Sequence, residues 1–507
     1  MIYKIKEKIK FFLSYLLFMV NLIWNGKKGN DFKLDDIQPF HNLDIYSFTD
    51  KNNELLDNWQ NLLIWGENES VINTLMNEFR NKISLIYIDP PFATGGDFNF
   101  KIQIGERGKF IEKTSYTDKW EKGLDSYLTF LHRRLLKMKK LLAQHGSIFV
   151  HLDWHISHYI KLVMDDIFGI NNFRNEIIWA YPAASVKTRR FFIRSYDTLL
   201  FYSKTDDYVF KDDPKIYMEY SNRVKDALKK DEHGIFYYRG GSHNGKKLSR
   251  KVYVEQNGIF PRDVWNDIPY IRANTPEYQG FSTQKPERLL KRIILACTNE
   301  KDIVADFFSG SGTTLAVAEK LGRRWIGCDM NKHAIHISRK RILNINNSND
   351  LLNWKENYKR NPNSFRVISL NKEEQIISKE FLEKDAFENN IYSKFEPPEI
   401  HVKIHQNNKK VIIELLNYNI PYKQLISNKI RSKITSFSDL IDYWAIDYNF
   451  QNQTFNNEWV SFRSGKKREL ELKSKPYTYE DNGSYNLSVK IIDIFGITTQ
   501  KSHKITI

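Results

Sequence analysis

The chain reads as an α/β protein built on a mostly parallel sheet, and three observations predict this. Short apolar runs that end on an acid or a glycine alternate with helical stretches through the first two thirds of the sequence. Two such runs, 218 residues apart, carry unusual ends: "SLIYIDPPF" and "DIVADFFSGSGTT". Beyond about residue 370 the pattern changes to two-residue alternation, which predicts strands without intervening helices.

The elements follow in order. "NLLIWG" (residues 61–66) is a short buried strand, and Val71, Leu75, Met76 and Phe79 recur at helical spacing after it. Ile83 to Ile88 is the next strand. Gly95, Gly96 and the polar stretch to Gly123 predict a long loop. Leu124 to Leu142 forms an amphipathic helix, with Leu128, Leu131, Leu135 and Met138 on one face, broken by Gly146. "SIFVHLD" is a strand, a helix runs to about Phe168, and "EIIWAYP" and "SYDTLLFYSK" are strands. Residues 181–272 interrupt the rhythm with Lys, Arg, Tyr and Gly, as in "VKTRRFF" and "YYRGGSHNGKKLSRK", and predict an insertion on the rim of the sheet. The α/β pattern resumes near Gln284 and ends near Ile345. Residues 346–370 read as a linker, and 371–507 as a separate β-rich accessory domain with a turn at Asn482-Gly483.

Composition narrows the partners. With 77 Lys plus Arg against 61 Asp plus Glu, a formal charge of +16, the surface favours polyanions, nucleic acid first. The two cysteines, Cys297 and Cys328, form no CxxC or Cys/His cluster; neither a disulfide framework nor a metal site is expected, and a reducing cytoplasm fits. The basic start and the apolar run Phe11–Trp24 mimic a targeting signal. The run is shorter than the ~20 residues of a span, holds Ser14 and Asn21, and is followed by no small-residue cleavage site. It predicts an N-terminal helical extension (1–54) packed on the body rather than a membrane span.

Asp302 to Asn331 is a strand, a glycine turn (Ser309-Gly310-Ser311-Gly312), a helix and a strand ending on Asp329. Glycines let backbone approach a ligand, and an acid about 20 residues on can bind ribose hydroxyls. A phosphate-binding loop would need Lys after Gly312, where Thr313 stands; a dinucleotide site would need glycine at Leu315. S-adenosylmethionine, which lacks a pyrophosphate, remains. By itself the unit fits an ordinary glycine turn equally well. An isolated Asp-Pro-Pro would likewise be a plain strand-ending turn.

Together, in order, the motifs resemble the DNA amino-methyltransferases of the permuted (β) class, in which the catalytic motif precedes the cofactor motif, as in type III modification subunits. The resemblance spans about residues 55–345 and rests on "IWGENESVINTL", "SLIYIDPPFATGGDF", "SYDTLLFYSK", "STQKPERLLKRII", "DFFSGSGTT" and "GCDMN". It implies a Rossmann-like S-adenosylmethionine-dependent methyltransferase sheet with a basic target-recognition insertion (about 181–272). It implies catalytic Asp89, Pro90, Pro91 and Phe92. Asp89 and the Pro90 carbonyl would grip an exocyclic amine, and Phe92 would stack on a base flipped out of duplex DNA. It implies cofactor contacts by Glu67 (where aspartate is commoner), Lys285, Asp306, Phe308, Ser309, Gly310, Gly312, Thr313 and Asp329. The implied reaction is methylation of adenine N6 in a restriction-modification or related defence system, with a homodimer and a separate restriction or helicase subunit as further partners. Cytosine-N4 methylation, RNA methylation and a non-catalytic DNA-binding scaffold are the alternatives. Cytosine C5 chemistry needs a nucleophilic cysteine, and both cysteines sit in apolar segments.

The C-terminal "YTYEDNGSYNLSVKIIDIFG" resembles a β-sandwich repeat of the polycystic-kidney-disease type through its Tyr-x-x-x-Gly-x-Tyr and Asp-x-x-Gly pattern, and a module for docking a partner subunit is expected there.

Overall fold

The computed structural model describes residues 22–27, 37–48, 59–106, 109–120, 123–182, 190–243, 246–254, 258–370, 396–451, 453–465 and 468–507, with backbone alone for 115–117, 241–243 and 246–248. The apolar run before Leu22, residues 183–189 of the insertion and residues 371–395 lie outside this set. Among the described residues no helix is long and apolar enough to cross a membrane.

The strand Ile83–Ile88 is buried at every position because it lies mid-sheet with helices on both faces. Its side chains alternate between two cores. Ile86 and Ile88 meet the helices Asn68–Phe79, Gly123–Leu141 and Ser157–Phe168. Leu85 and Tyr87 meet the helices Glu287–Cys297, Thr313–Lys320 and Lys332–Leu343. On one side of Ile83–Ile88 lie Leu142–Leu152, Tyr196–Ser203, Phe173–Ala180 and Val264–Trp265. On the other lie Ile303–Asp306, Arg324–Asp329, Asn61–Trp65, Phe365–Ser369, His41–Tyr46 and Phe455–Asn456, which gives an eleven-stranded sheet among the described residues. From Leu142–Leu152 through Phe365–Ser369 neighbouring strands are parallel. The chain therefore proceeds in opposite directions from the junction of Ile83–Ile88 with Ile303–Asp306. That junction is the topological switch point, where the carboxyl ends of an open α/β sheet leave a crevice.

Several expectations need correction. The stretch after Gly96 is not a loop but a hairpin, Asp97–Ile104 with Lys109–Thr117, bridged to Phe281. Gly146 breaks no helix: the helix stops at Leu141, and Gly146 lies inside the strand Leu142–Leu152, where an added Cβ would fall 2.8 Å from the Ile83 carbonyl. The 1–54 extension contributes a sheet strand, His41–Tyr46, and its Trp24 packs edge-on to His132 and donates to Thr129. The predicted linker contains Phe365–Ser369, a strand paired with Asn61–Trp65, because Phe365, Val367 and Ile368 are apolar enough to bury on both faces.

The β-rich region forms a three-stranded sheet (Glu399–Asn407, Lys410–Asn419, Tyr477–Thr478) and a four-stranded one (Trp459–Phe462, Ile441–Asp447, Ser484–Asp493, Thr498–Thr506). It is not separate. Phe455–Asn456 pairs with His41–Tyr46, and Tyr443, Ala445 and Ile492 lie in the same core as Leu63 and Tyr87. Ionic contacts bind the seam: Asp44 meets Lys490 and Arg339, and Asp442 meets Lys340 and His336. In the insertion, Lys229–Asp231, Gly234–His243 and Lys246–Tyr253 make a small antiparallel sheet with exposed Tyr238 and Tyr253.

Candidate active site

Asp89 follows Ile88 at the carboxyl edge of the sheet, and Asp306 ends the adjacent strand. Between them lies a cleft of about 150 Å³ that takes in every site residue expected from the sequence except Pro90, Phe92 and Gly312. Thus two segments far apart in the chain share one pocket.

Asp89 is held asymmetrically. Its Oδ2 accepts from Lys285 Nζ at 2.5 Å, while its Oδ1 is buried without a partner. Lys285, expected on the cofactor, lines the cleft and is the counter-ion of the Asp89 carboxylate. Its backbone is anchored too, since its carbonyl accepts from the Thr313 hydroxyl at 3.2 Å. Phe92, expected to stack on a base, lies 17° from coplanar with the His151 ring at 6.1 Å, with Lys285 Nζ 5.4 Å from its centroid.

The proline turn is followed by a loop tied to one carboxylate that the sequence motifs do not include. Asp118 is fully buried and accepts from the Ala93 and Thr94 amides, the Thr94 hydroxyl and Trp120 Nε1, at 2.7–3.0 Å. Ala93 has φ +56°, uncommon for a side chain with a Cβ, and this network holds it there. The signal was the acid between two aromatics in "SYTDKW".

A second missed network stands behind Phe92. Tyr87 OH is hydrogen-bonded to His151 Nδ1 (2.8 Å), His151 Nε2 to Asp197 Oδ2 (3.0 Å), and Asp197 Oδ1 accepts from Tyr181 OH (3.0 Å). Burial alone would raise the Asp197 pKa; the hydrogen bond and charge of His151, with Lys285 and Tyr181, outweigh it and hold the carboxyl below its usual range. Burial, with the nearby Asp89, Asp306 and Asp197 carboxylates, pushes the Tyr87 hydroxyl far up, so it keeps its proton. Tyr87, His151 and Asp197 come from three neighbouring strands and Tyr181 follows the end of a fourth, a proximity that no local pattern in the sequence reveals.

On the other side, Gly310 (φ +49°) and Gly312 (φ +72°) make the tight turn. At Gly312 an added Cβ would come 2.7 Å from Ser338 Oγ, so this glycine serves close helix packing rather than the cleft. Both Asp329 oxygens accept backbone amides, Gly310 at 2.9 Å and Asn331 at 2.8 Å. Glu67 accepts from the Ser70 amide as the cap of its helix and pairs with Arg134. Each acid already braces the turn it belongs to; each Asp329 oxygen keeps a further lone pair for a ligand hydroxyl or amine, whereas Glu67 Oε2 already accepts both the amide and the hydroxyl of Ser70. Thr313 is committed to Lys285 and Arg341. Beneath it Glu287 pairs with Lys320 (2.6 Å) and Arg341 (2.9 Å), a buried ionic support that was not expected. Burial raises Asp306 to about 7 against the hydrogen bonds of Thr314 and Phe308, and raises Asp329 to about 6. Ser309 Oγ, like Asp89 Oδ1, is buried and unpartnered.

These features fit S-adenosylmethionine, since unpaired polar atoms and a glycine turn face a partly apolar cleft. The family model for DNA methylases of the N6/N4 type matches residues 83–340. The chain is 29% identical over 325 residues to type II methyltransferase M.EcaI of Enterobacter cloacae, covering 56% of this chain and 69% of that one. It is 29% identical over 261 residues to DNA adenine methyltransferase YhdJ of Escherichia coli K12, covering 51% and 76%. It is 27% identical over 394 residues to the probable HindVI type III Mod subunit of Haemophilus influenzae, covering 56% and 50%. With its paired catalytic and glycine-turn motifs meeting at the switch point of the sheet, this chain belongs to the N6/N4 DNA methylase family.

Proposed function

We propose that the chain methylates the exocyclic N6 of adenine at a specific DNA sequence, using S-adenosylmethionine, in a restriction-modification or related defence setting. The observation that carries this reading is Asp89: one oxygen bound to Lys285, the other buried, unpartnered and on the cleft that the glycine turn also lines.

An amine on an aromatic base is a weak nucleophile because its lone pair is shared with the ring. Asp89 Oδ1 accepts one amine hydrogen and the Pro90 carbonyl the other, so the nitrogen is oriented rather than deprotonated. Lys285 fixes the carboxylate's rotation, and Asp118 fixes the loop that follows the prolines. Positioning of this kind carries much of the acceleration. Phe92 is braced by His151 on one face, which gives the base a firm stacking surface. Ser309, Gly310, Phe308, Asp306, Asp329 and Glu67 would hold the cofactor, whose bound sulfonium supplies an activated methyl group. YhdJ, named an adenine methyltransferase, supports N6 of adenine over N4 of cytosine. The Mod-subunit relative supports a separate restriction partner, and the two buried free cysteines suit a reducing cytoplasm.

The test is to express the chain in a bacterial host without DNA methylation and sequence modified bases in its genome. N6-methyladenine confined to one short motif, absent with Asp89→Ala, is the expected result. N4-methylcytosine, or an unmodified genome, would overturn the reading.

A further inference from the structure

The strands Phe173–Ala180 and Tyr196–Ser203 run antiparallel, with Ala180 opposite Tyr196. Tyr196–Ser203 is antiparallel to Leu142–Leu152, which is parallel to Ile83–Ile88. The connection from Tyr181 to Ser195 therefore leaves the sheet at the same edge as Asp89, on the side away from the glycine turn. Its described end reads Arg190-Phe191-Phe192-Ile193-Arg194. Phe192 is 97% exposed, and Phe191 and Ile193 are also exposed. Phe191 lies against the Arg194 guanidinium (4.8 Å), so Phe192 is the side chain that stands out into water, and a large apolar group so exposed between arginines is out of place on a solvated face.

The base of this tip is firm. Tyr181 N donates to the Ser195 carbonyl at 2.9 Å, and the Tyr181 hydroxyl is bound to Asp197 of the His151 network. The Arg194 guanidinium lies over the Trp154 ring at 3.6 Å, just beyond the strand that carries His151. An apolar tip is thus attached to the wall against which Phe92 rests.

We propose that Phe192, with Phe191 and Ile193 beside it, is the wedge that enters the DNA base stack as the target adenine leaves it, while Arg190 and Arg194 meet the flanking phosphates. This rests on the reading of the chain as a DNA adenine methyltransferase. Extruding a base costs its stacking and pairing, and an inserted aromatic side chain restores part of the lost stacking. Charge selects the occupant: arginines bracketing an apolar tip suit a polyanion whose interior is a stack of rings.

The experiment uses the full chain and a synthetic duplex bearing the motif found by modified-base sequencing. One version pairs the target adenine normally; the other places an abasic site opposite it, which removes most of the extrusion cost. Initial rates of tritiated methyl transfer are compared for wild type, Phe192→Ala and Phe192→Trp. Phe192→Ala is expected to lose about tenfold or more on the paired duplex, equivalent to about 1.4 kcal/mol of activation free energy, and less than about threefold on the abasic one. Phe192→Trp should retain most of the rate on both. Equal rates for Phe192→Ala and wild type on the paired duplex, or equal losses on both duplexes, would overturn the wedge while leaving adenine methylation standing. Absence of transfer by the wild type would end both.

Discussion

Lys285 Nζ lies 2.5 Å from Asp89 Oδ2, although 196 residues separate them. This contact joins the segment preceding the glycine turn to the Asp89 carboxylate, whose other oxygen is buried without a partner. Replacing Asp89 with Ala should lower kcat by about a hundredfold or more, the scale of misplacing a reacting atom that a hydrogen-bond acceptor had oriented. Cofactor binding by calorimetry should persist. Lys285→Gln should lower kcat less than Asp89→Ala, because the carboxylate remains but is free to rotate. Normal turnover by Asp89→Ala would refute the clamp.

Asp118 offers a test of loop positioning. It supplies the acceptors for two consecutive backbone amides just after Phe92. Asp118→Ala leaves those donors unpaired and should lower kcat about tenfold or more, since small misplacements near a reacting centre are costly. Asp118→Asn, which keeps one carbonyl oxygen, should fall between. Thermal melting separates this from unfolding: Tm should fall, because buried donors lose their acceptor, yet the rate should already be low at temperatures where the variant is fully folded.

Asp306 predicts a pH dependence. Its folded pKa is raised to about 7, so between about pH 4 and pH 7 the folded chain keeps a proton that the unfolded chain releases. Stability from this group therefore falls as pH rises through that window, at up to about 1.4 kcal/mol per pH unit. Asp306→Asn cannot ionise, and its carbonyl can still accept from the Phe308 amide or the Thr314 hydroxyl. Denaturant midpoints from pH 5 to 8 should decline less for the variant than for wild type. Parallel curves would contradict the assignment.

The buried seam between the sheet and the β-rich region predicts that the two unfold as one cooperative body. Asp44 faces both Lys490 and Arg339, and its loss leaves two buried cations without that carboxylate. Asp44→Ala should destabilise the chain by about 3–5 kcal/mol, as expected for breaking a buried ionic contact on one side. Calorimetry of wild type should show a single transition spanning both regions. Two well-separated transitions would show that the β-rich region folds apart from the sheet.

What was legible in the sequence was local. The run Ile83–Ile88 ending on Asp89, the turn Ser309–Gly312 and the amphipathic helix Gly123–Leu141 are patterns of neighbouring residues, and each lies where its pattern implied. The order of the motifs was enough to pair them. Strands placed late or early in the chain, such as Phe365–Ser369 and His41–Tyr46, looked like linker or extension because five or six residues have no identity until an edge of the sheet is free to receive them. Gly146 looked like a breaker because nothing local shows that a neighbouring strand crosses close by.

The amino-acid order by itself determined which residues could do chemistry: an acid before two prolines, a glycine turn, and a second acid one strand later. Only the tertiary structure decided how they are held. Lys285 on Asp89, Asp118 under the loop, and His151 and Asp197 behind Phe92 are contacts across strands and loops far apart in sequence. Such contacts arise when the sheet stacks those segments side by side, and side-chain geometry then settles which polar atoms are satisfied and which remain open for a substrate.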